Sequence, residues 1–316
     1  MSLLIPLLLL VAGFVLLVFG SDWLVDGASA LAKRLRVSDL VIGLTIVAFG
    51  TSAPELVVSS ISAWQGSADI AIANVIGSNT FNILVILGIA AIIYPLTVTR
   101  STIWKEIPLS LLAVFVVGLI ATRRVLIWTD ALILLSFFSI FLVYMLEMAK
   151  SARAEEKEGM ADTHLMSGGK MALMIICGLI ALVFGGKMVV DSAVQIATWL
   201  GISQALIGLT IVAAGTSLPE LATSVRAAMK KKDDIAVGNV VGSNIFNAFF
   251  ILGASGLISP LAFSAGSTVD IAVCAVATLL LFGVMFIGRK HKIDRWQGVL
   301  FVLLYVAYLG YLIQRG

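Results

Sequence analysis

The chain is 316 residues long, 60% hydrophobic and 12% charged, with a formal net charge of +3 at pH 7. That balance excludes an ordinary soluble domain and places the sequence among multi-spanning membrane proteins. Its two histidines, His164 and His291, fall in loops, and neither an HExxH nor a GxSxG stretch occurs, so no enzyme and no cofactor are expected.

In chain order, hydropathy predicts ten spans, each long enough to cross about 30 Å of hydrocarbon. In the first half they lie at about 3–31, 38–65, 70–94, 103–121 and 125–146. The first run meets Ser21-Asp22-Trp23 without a charged stretch ahead of it, which reads as a retained helix and not a cleaved signal peptide. A charged stretch, Glu147 to Gly169, has no apolar face and is expected to be a linker. Five more spans follow at about 170–198, 202–229, 234–258, 266–288 and 296–313. Cys177 and Cys274 lie inside apolar runs and read as small buried hydrophobes. Asp22, Asp26, Lys187 and Asp191 fall near span ends, where interfacial water is expected to solvate them.

The two halves are related. A shift of 165 positions lays residues 42–88 on 207–253 without a gap, with 28 of the 47 positions identical. An odd number of helices per half makes the second copy enter the membrane from the other side. The expected fold is therefore an all-α membrane protein of ten transmembrane helices in two inverted five-helix repeats, 1–146 and 170–316, joined by a cytoplasmic linker at 147–169. Paired inverted repeats with broken helices are the architecture of secondary transporters, whose site lies near the midplane. Most Lys and Arg residues, from Lys33 to Arg36 through Lys230–Lys232 to Arg295, fall in loops of one side. The other side holds Arg123, Arg124 and Arg315. The rich side is expected to be cytoplasmic, with both termini outside. The clusters set topology and imply no nucleic acid and no obligate protein partner.

Each half carries a break. Gly50-Thr51-Ser52-Ala53-Pro54-Glu55 and Gly215-Thr216-Ser217-Leu218-Pro219-Glu220 sit within apolar runs. A carboxylate at that depth costs about 3 kcal/mol or more and marks a functional site. Proline lacks the N–H of a continuing helix and frees a carbonyl one turn back. Such freed groups survive in a bilayer only against protein or a watery cavity. Carbonyls, hydroxyls and a carboxylate at one break form hard oxygen donors suited to Na⁺ or Ca²⁺. The next span repeats a second motif, Asn74-Val75-Ile76-Gly77-Ser78-Asn79-Thr80-Phe81-Asn82 and Asn239-Val240-Val241-Gly242-Ser243-Asn244-Ile245-Phe246-Asn247. Ser78 and Asn82 share a helix face, as do Ser243 and Asn247. Gly77 and Gly242 are expected to allow close helix approach.

These doubled segments resemble the sodium/calcium exchanger family of the cation/Ca²⁺ exchanger superfamily, prokaryotic type, over nearly the whole chain. The resemblance implies an antiporter that exchanges Na⁺ for Ca²⁺ by alternating access, electrogenically at 3 Na⁺ to 1 Ca²⁺. It makes Glu55 and Glu220 ligands to both ions. Thr51 and Thr216 would help hold Ca²⁺. Ser52, Ser78, Ser217 and Ser243, with the carbonyls of Ala48 and Ala213, match Na⁺ positions, and Asn82 and Asn247 match central polar positions. The first and sixth helices would slide across the core. Some family members carry Asp where this chain has Asn247, which argues here against a third acidic ligand and K⁺ co-transport. A Ca²⁺/H⁺ or K⁺-dependent antiporter of the same superfamily is the alternative; the usual proton-coupled motif has Asn where Thr51 and Thr216 stand. A cation channel would use the acidic pair but not the repeats. The short central loop fits a prokaryotic cell membrane.

Overall fold

The computed structural model describes residues 3–156, 166–201 and 213–315. His164 and residues 157–165 of the expected linker lie outside the described residues, as does 202–212, the opening of the expected seventh span. The described chain is helical apart from two short antiparallel pairings, β1 (Leu96–Thr97) with β4 (Lys292–Ile293) and β2 (Val125–Leu126) with β3 (Leu261–Ala262). The helices are α1 (Leu4–Leu35), α2 (Asp39–Thr51), α3 (Ala53–Trp64), α4 (Ala68–Ile93), α5 (Thr102–Ala121), α6 (Trp128–Glu156), α7 (Gly168–Trp199), α8 (Leu218–Met229), α9 (Asp233–Ile258), α10 (Ala265–Val284) and α11 (Arg295–Arg315). Eight of the described helices are long and apolar enough to cross a membrane, and α2 and α3, bent by 47° at their break, are so when taken together. Some boundaries differ from the hydropathy reading, and α1 runs four residues further, to Leu35. α6 starts after β2 and continues ten residues into the stretch expected as linker. α10 stops at Val284, where a chain of turns begins.

Burial runs inside out relative to a soluble protein. Leu4, Leu8, Val11, Phe115, Ile140, Leu146, Leu173, Phe184 and Leu303 are all exposed, whereas Glu55, Glu220 and five asparagines are buried. α9 is buried almost throughout and α4 over most of its length, while α1, α6 and α11 present most of their surface outward. Lipid is as apolar as leucine, so helix association depends on close packing and on polar pairs.

Two close approaches set the frame. α1 and α7 pack along one another on glycines seven apart, Gly13 facing Gly185 and Gly20 facing Gly178, with Gly27 against Ile175. A Cβ at Gly178 would stand 2.8 Å from the Gly20 carbonyl oxygen. At Gly242 a Cβ would lie 2.6 Å from the Leu44 carbonyl oxygen, so α9 meets α2 backbone to side-chain-free backbone. Gly77 has no described neighbour within 4 Å of that position; residue 209, the counterpart of Leu44 after the 165-residue shift, lies outside the described residues. Asp22 and Asp26 differ from the expectation of plain solvation. Arg226 Nε donates to Asp22 at 2.8 Å and Lys230 Nζ to Asp26 at 2.6 Å, tying α1 to α8. Lys187 and Asp191 pair with each other at 2.9 Å.

Candidate functional site

The breaks fall where the prolines put them. Helix α2 ends at Thr51, Ser52 adopts φ −81° and ψ 10°, and α3 starts with Pro54 in its first turn. In the second half the short helical segment Ala213–Gly215 leads in, Ser217 has φ −87° and ψ 9°, and α8 starts with Pro219. Placing a proline in the first turn costs little, because those N–H groups have no helical partner. Each break thus delivers its glutamate on the first turn of a new helix, at the dipole's positive end.

The two breaks meet across the molecule. Ser52 donates to Glu220 Oε1 at 2.8 Å, and Ser217 donates to Glu55 Oε1 at 2.9 Å. Ser78, from α4, also approaches Glu55 Oε1 at 3.4 Å. Its counterpart Ser243 instead donates to the Ala48 carbonyl at 3.4 Å, which also receives Ser52 N at 3.1 Å and the Thr51 hydroxyl at 3.3 Å. The single Thr51 hydroxyl hydrogen is shared with Asn239 Oδ1, the nearer acceptor at 3.0 Å, and the Thr216 hydroxyl donates to Asn74 Oδ1 at 3.3 Å. Those asparagines brace the glutamates' own backbone. Asn74 Nδ2 reaches the Glu55 carbonyl at 3.2 Å and Ser59 at 2.9 Å; Asn239 Nδ2 reaches the Glu220 carbonyl at 3.3 Å and Ser224 at 2.9 Å.

Asn82 and Asn247 stand one turn along α4 and α9 from Ser78 and Ser243. Asn82 Nδ2 donates to Asn244 Oδ1 at 2.9 Å, and Asn247 Nδ2 to Asn79 Oδ1 at 3.0 Å. Both residues open onto π-helical turns, Asn82–Leu87 and Phe246–Ile251, a distortion that recurs at functional sites. Four acceptor oxygens here are buried without a hydrogen-bond partner: Glu55 Oε2, Glu220 Oε2, Asn82 Oδ1 and Asn247 Oδ1. An unmet buried acceptor costs free energy, more so when charged. Among the described residues no three His, Cys, Asp or Glu side chains gather to hold a metal, so a cation here would rest on two carboxylates and neutral oxygens. The structure therefore brings together Glu55, Glu220, Ser52, Ser217, Ser78, Ser243, Thr51, Thr216, Asn82, Asn247 and Ala48. Ala213 opens the segment before the second break. The hydropathy reading missed the bracing asparagines' exact partners and the π turns.

The family description "Sodium/calcium exchanger protein" matches residues 5–147 and 170–314. The chain belongs to the sodium/calcium exchanger family. CaxA of Alkalimonas amylolytica is 38% identical to this exchanger over 96% of this chain and 98% of its own length. The sodium/calcium exchanger MaX1 of Methanosarcina acetivorans is 33% identical over 96% of this chain and 97% of its own. The structure of the sodium-calcium exchanger NCX_Mj soaked with zero Na⁺ and Ca²⁺ superposes with a TM-score of 0.84. It is 35% identical and covers 98% of this chain and 100% of that one. This exchanger is thus an all-α, multi-spanning membrane protein of the same fold.

Proposed function

We propose that this exchanger is a secondary active antiporter that carries Na⁺ and Ca²⁺ in opposite directions through one site, by alternating access. The observation that carries this reading is the set of four unpartnered buried oxygens, two from each half, at the meeting of the two breaks. Carboxylate and amide oxygens left as acceptors without donors are the ligand type a hard cation takes. Glu55 and Glu220 bind both ions in turn. Ca²⁺ adds oxygens of Thr51 and Thr216, and because both hydroxyls are engaged with asparagines, the threonine carbonyls are the available atoms. Na⁺ uses Ser52, Ser78, Ser217 and Ser243 with the carbonyls of Ala48 and Ala213. Asn82 and Asn247 complete the centre.

Charge sets the cycle. Two carboxylates balance one Ca²⁺, and three Na⁺ leave a net +1, so a 3:1 exchange moves charge. An empty, closed site would strand two buried carboxylates, which suppresses crossing without cargo. Ten helices in two inverted halves, 1–146 and 170–316 around the linker 147–169, form the scaffold. Two observations support it: two separate family segments, and hydrogen bonds that recur after a 165-residue shift. The α1–α7 pair is the moving part.

The basic segments gather at one end, which supports a cytoplasmic assignment for that end and both termini outside a prokaryotic cell membrane. There β1 meets β4, Lys232 meets Asp39 at 3.2 Å, and the Thr97 N–H meets Asp233 at 2.9 Å. At the opposite end β2 meets β3 and Arg315 meets Asp270 at 2.9 Å. The test is gradient-driven ⁴⁵Ca²⁺ uptake into proteoliposomes with Na⁺, K⁺ and H⁺ varied separately. Uptake should follow the Na⁺ gradient and respond to membrane potential. Uptake that follows the pH gradient, or needs K⁺, would replace this reading.

A further inference from the structure

We infer that Asn79 and Asn244 are positioning residues that fix which way round the Asn82 and Asn247 amides stand, so that both offer oxygen and not NH₂ to the transported cation. The inference rests on the proposed role of Asn82 and Asn247 and adds what keeps them in that role.

An asparagine amide is nearly symmetric in shape, and rotating it by half a turn exchanges a C=O acceptor for an NH₂ donor with little change in packing. Beside a cation that exchange reverses the sign of the interaction. Something must therefore hold each amide, and here the hold can be traced to groups that have no choice. A backbone carbonyl can only accept. Asn79 Nδ2 donates to the Asn244 carbonyl at 3.1 Å, and Asn244 Nδ2 donates to the Asn79 carbonyl at 3.2 Å. With their NH₂ ends committed, both side chains turn Oδ1 the other way. Asn79 Oδ1 then accepts from Asn247 Nδ2 at 3.0 Å, and Asn244 Oδ1 accepts from Asn82 Nδ2 at 2.9 Å. The NH₂ ends of Asn82 and Asn247 are turned towards those oxygens in turn, each giving one of its two hydrogens.

What remains outward is Asn82 Oδ1 and Asn247 Oδ1, both buried and unpartnered. Turning any one amide over would set NH₂ against NH₂ or oxygen against oxygen somewhere along the relay. All four side chains are 0–1% exposed, so bulk water is not at hand to relieve the mismatch. The order of donors thus runs from two main-chain carbonyls, through Asn79 and Asn244, to the faces that meet the ion. The crossed pairing also means that each half orients the amide of the other.

The experiment uses the fact that a carboxylate has oxygen at both ends, so its orientation no longer matters. Apparent Ca²⁺ affinity is measured by Na⁺-driven ⁴⁵Ca²⁺ uptake for Asn79→Ala alone and for Asn79→Ala combined with Asn247→Asp, each against its own parent. The mirror cross uses Asn244→Ala with Asn82→Asp. Alone, each alanine variant should weaken the apparent affinity roughly tenfold or more, the scale of losing a hydrogen-bonded contact to a charge. In the aspartate background the same alanine should cause no such loss, because the aspartate already stands oxygen to oxygen against Asn79 or Asn244 and the alanine removes that mismatch. An equal loss in both backgrounds overturns the inference, as does no loss in either. So does failure to fold in both, because the relay would then be holding helices and not amides. Failure of the underlying site assignment reads differently: Asn82→Ala and Asn247→Ala would leave the affinity for Ca²⁺ and Na⁺ unchanged.

Discussion

Glu55 and Glu220 each take one hydroxyl from the opposite half and leave the other oxygen without a protein partner. Replacing either by glutamine keeps the volume, halves the negative charge of the pair, and turns an acceptor into a donor. Glu55→Gln and Glu220→Gln should therefore abolish ⁴⁵Ca²⁺ transport, by about 100-fold or more on the scale of an uncompensated charge in a closed site, while each protein still inserts and elutes as a folded species. Near-normal exchange in either variant would remove the site. These glutamates were legible in the sequence because each is an anomaly: a carboxylate and a proline inside an apolar run, twice, at one spacing. Ser52 and Ser217 came with them. The function of Asn79 and Asn244 was not legible. The chain shows Asn79 and Asn82 on one helix and Asn244 and Asn247 on another, but which amide meets which carbonyl depends on a crossing 165 residues away.

Among elements, the breaks at Ser52 and Ser217 were readable from Pro54 and Pro219, while the π turns at Gly43–Val47, Asn82–Leu87 and Phe246–Ile251 were not. A buried helix that is apolar all round has no stripe whose drift would betray one extra residue per turn. The α1–α7 contact was half-readable: glycines seven apart were present, but their partner was not named. At Gly178 the added Cβ would meet the Gly20 carbonyl oxygen at 2.8 Å and Leu24 N at 2.9 Å, both main-chain atoms that move only if the helices part. Gly186, on the same helix, would meet Pro219 Cδ at 3.6 Å, an ordinary contact. Gly178→Ala should accordingly destabilise the exchanger by about 1–3 kcal/mol, with Gly186→Ala close to neutral. Thermal unfolding in detergent, followed by tryptophan fluorescence, checks this. Equal midpoints for the two variants would show that α1 and α7 are not held by this close approach.

At the scale of the whole molecule the two halves repeat hydrogen bonds around the glutamates but do not repeat charge. The α1–α8 contact carries Arg226 and Lys230 against Asp22 and Asp26. The positions that correspond after the 165-residue shift are Ile61 and Gln65, at the end of α3, and Lys187 and Asp191 on α7; they form no such network, and the last two pair within their own helix. If α1 and α7 slide over the core, the two access states differ by this network, which ties the basic end shut. The four side chains are between 22% and 46% exposed, so solvent screening leaves the network at about 1–2 kcal/mol in total. That corresponds to a 5- to 30-fold bias between states. Asp22→Asn combined with Lys230→Gln should shift the population toward the state open at the basic end. Measured in right-side-out and inside-out vesicles, the ratio of apparent Ca²⁺ affinities at the two faces should move by roughly that factor, and high salt should mimic the variant in part. Building the network at the corresponding positions of the other half, with Ile61→Arg, Gln65→Lys and Lys187→Asp, should stabilise the state in which α7 approaches α3 and move the ratio the opposite way. An unchanged ratio in both variants would mean that the two states owe their balance to packing alone, and that the asymmetry of charge between the halves serves insertion and not transport.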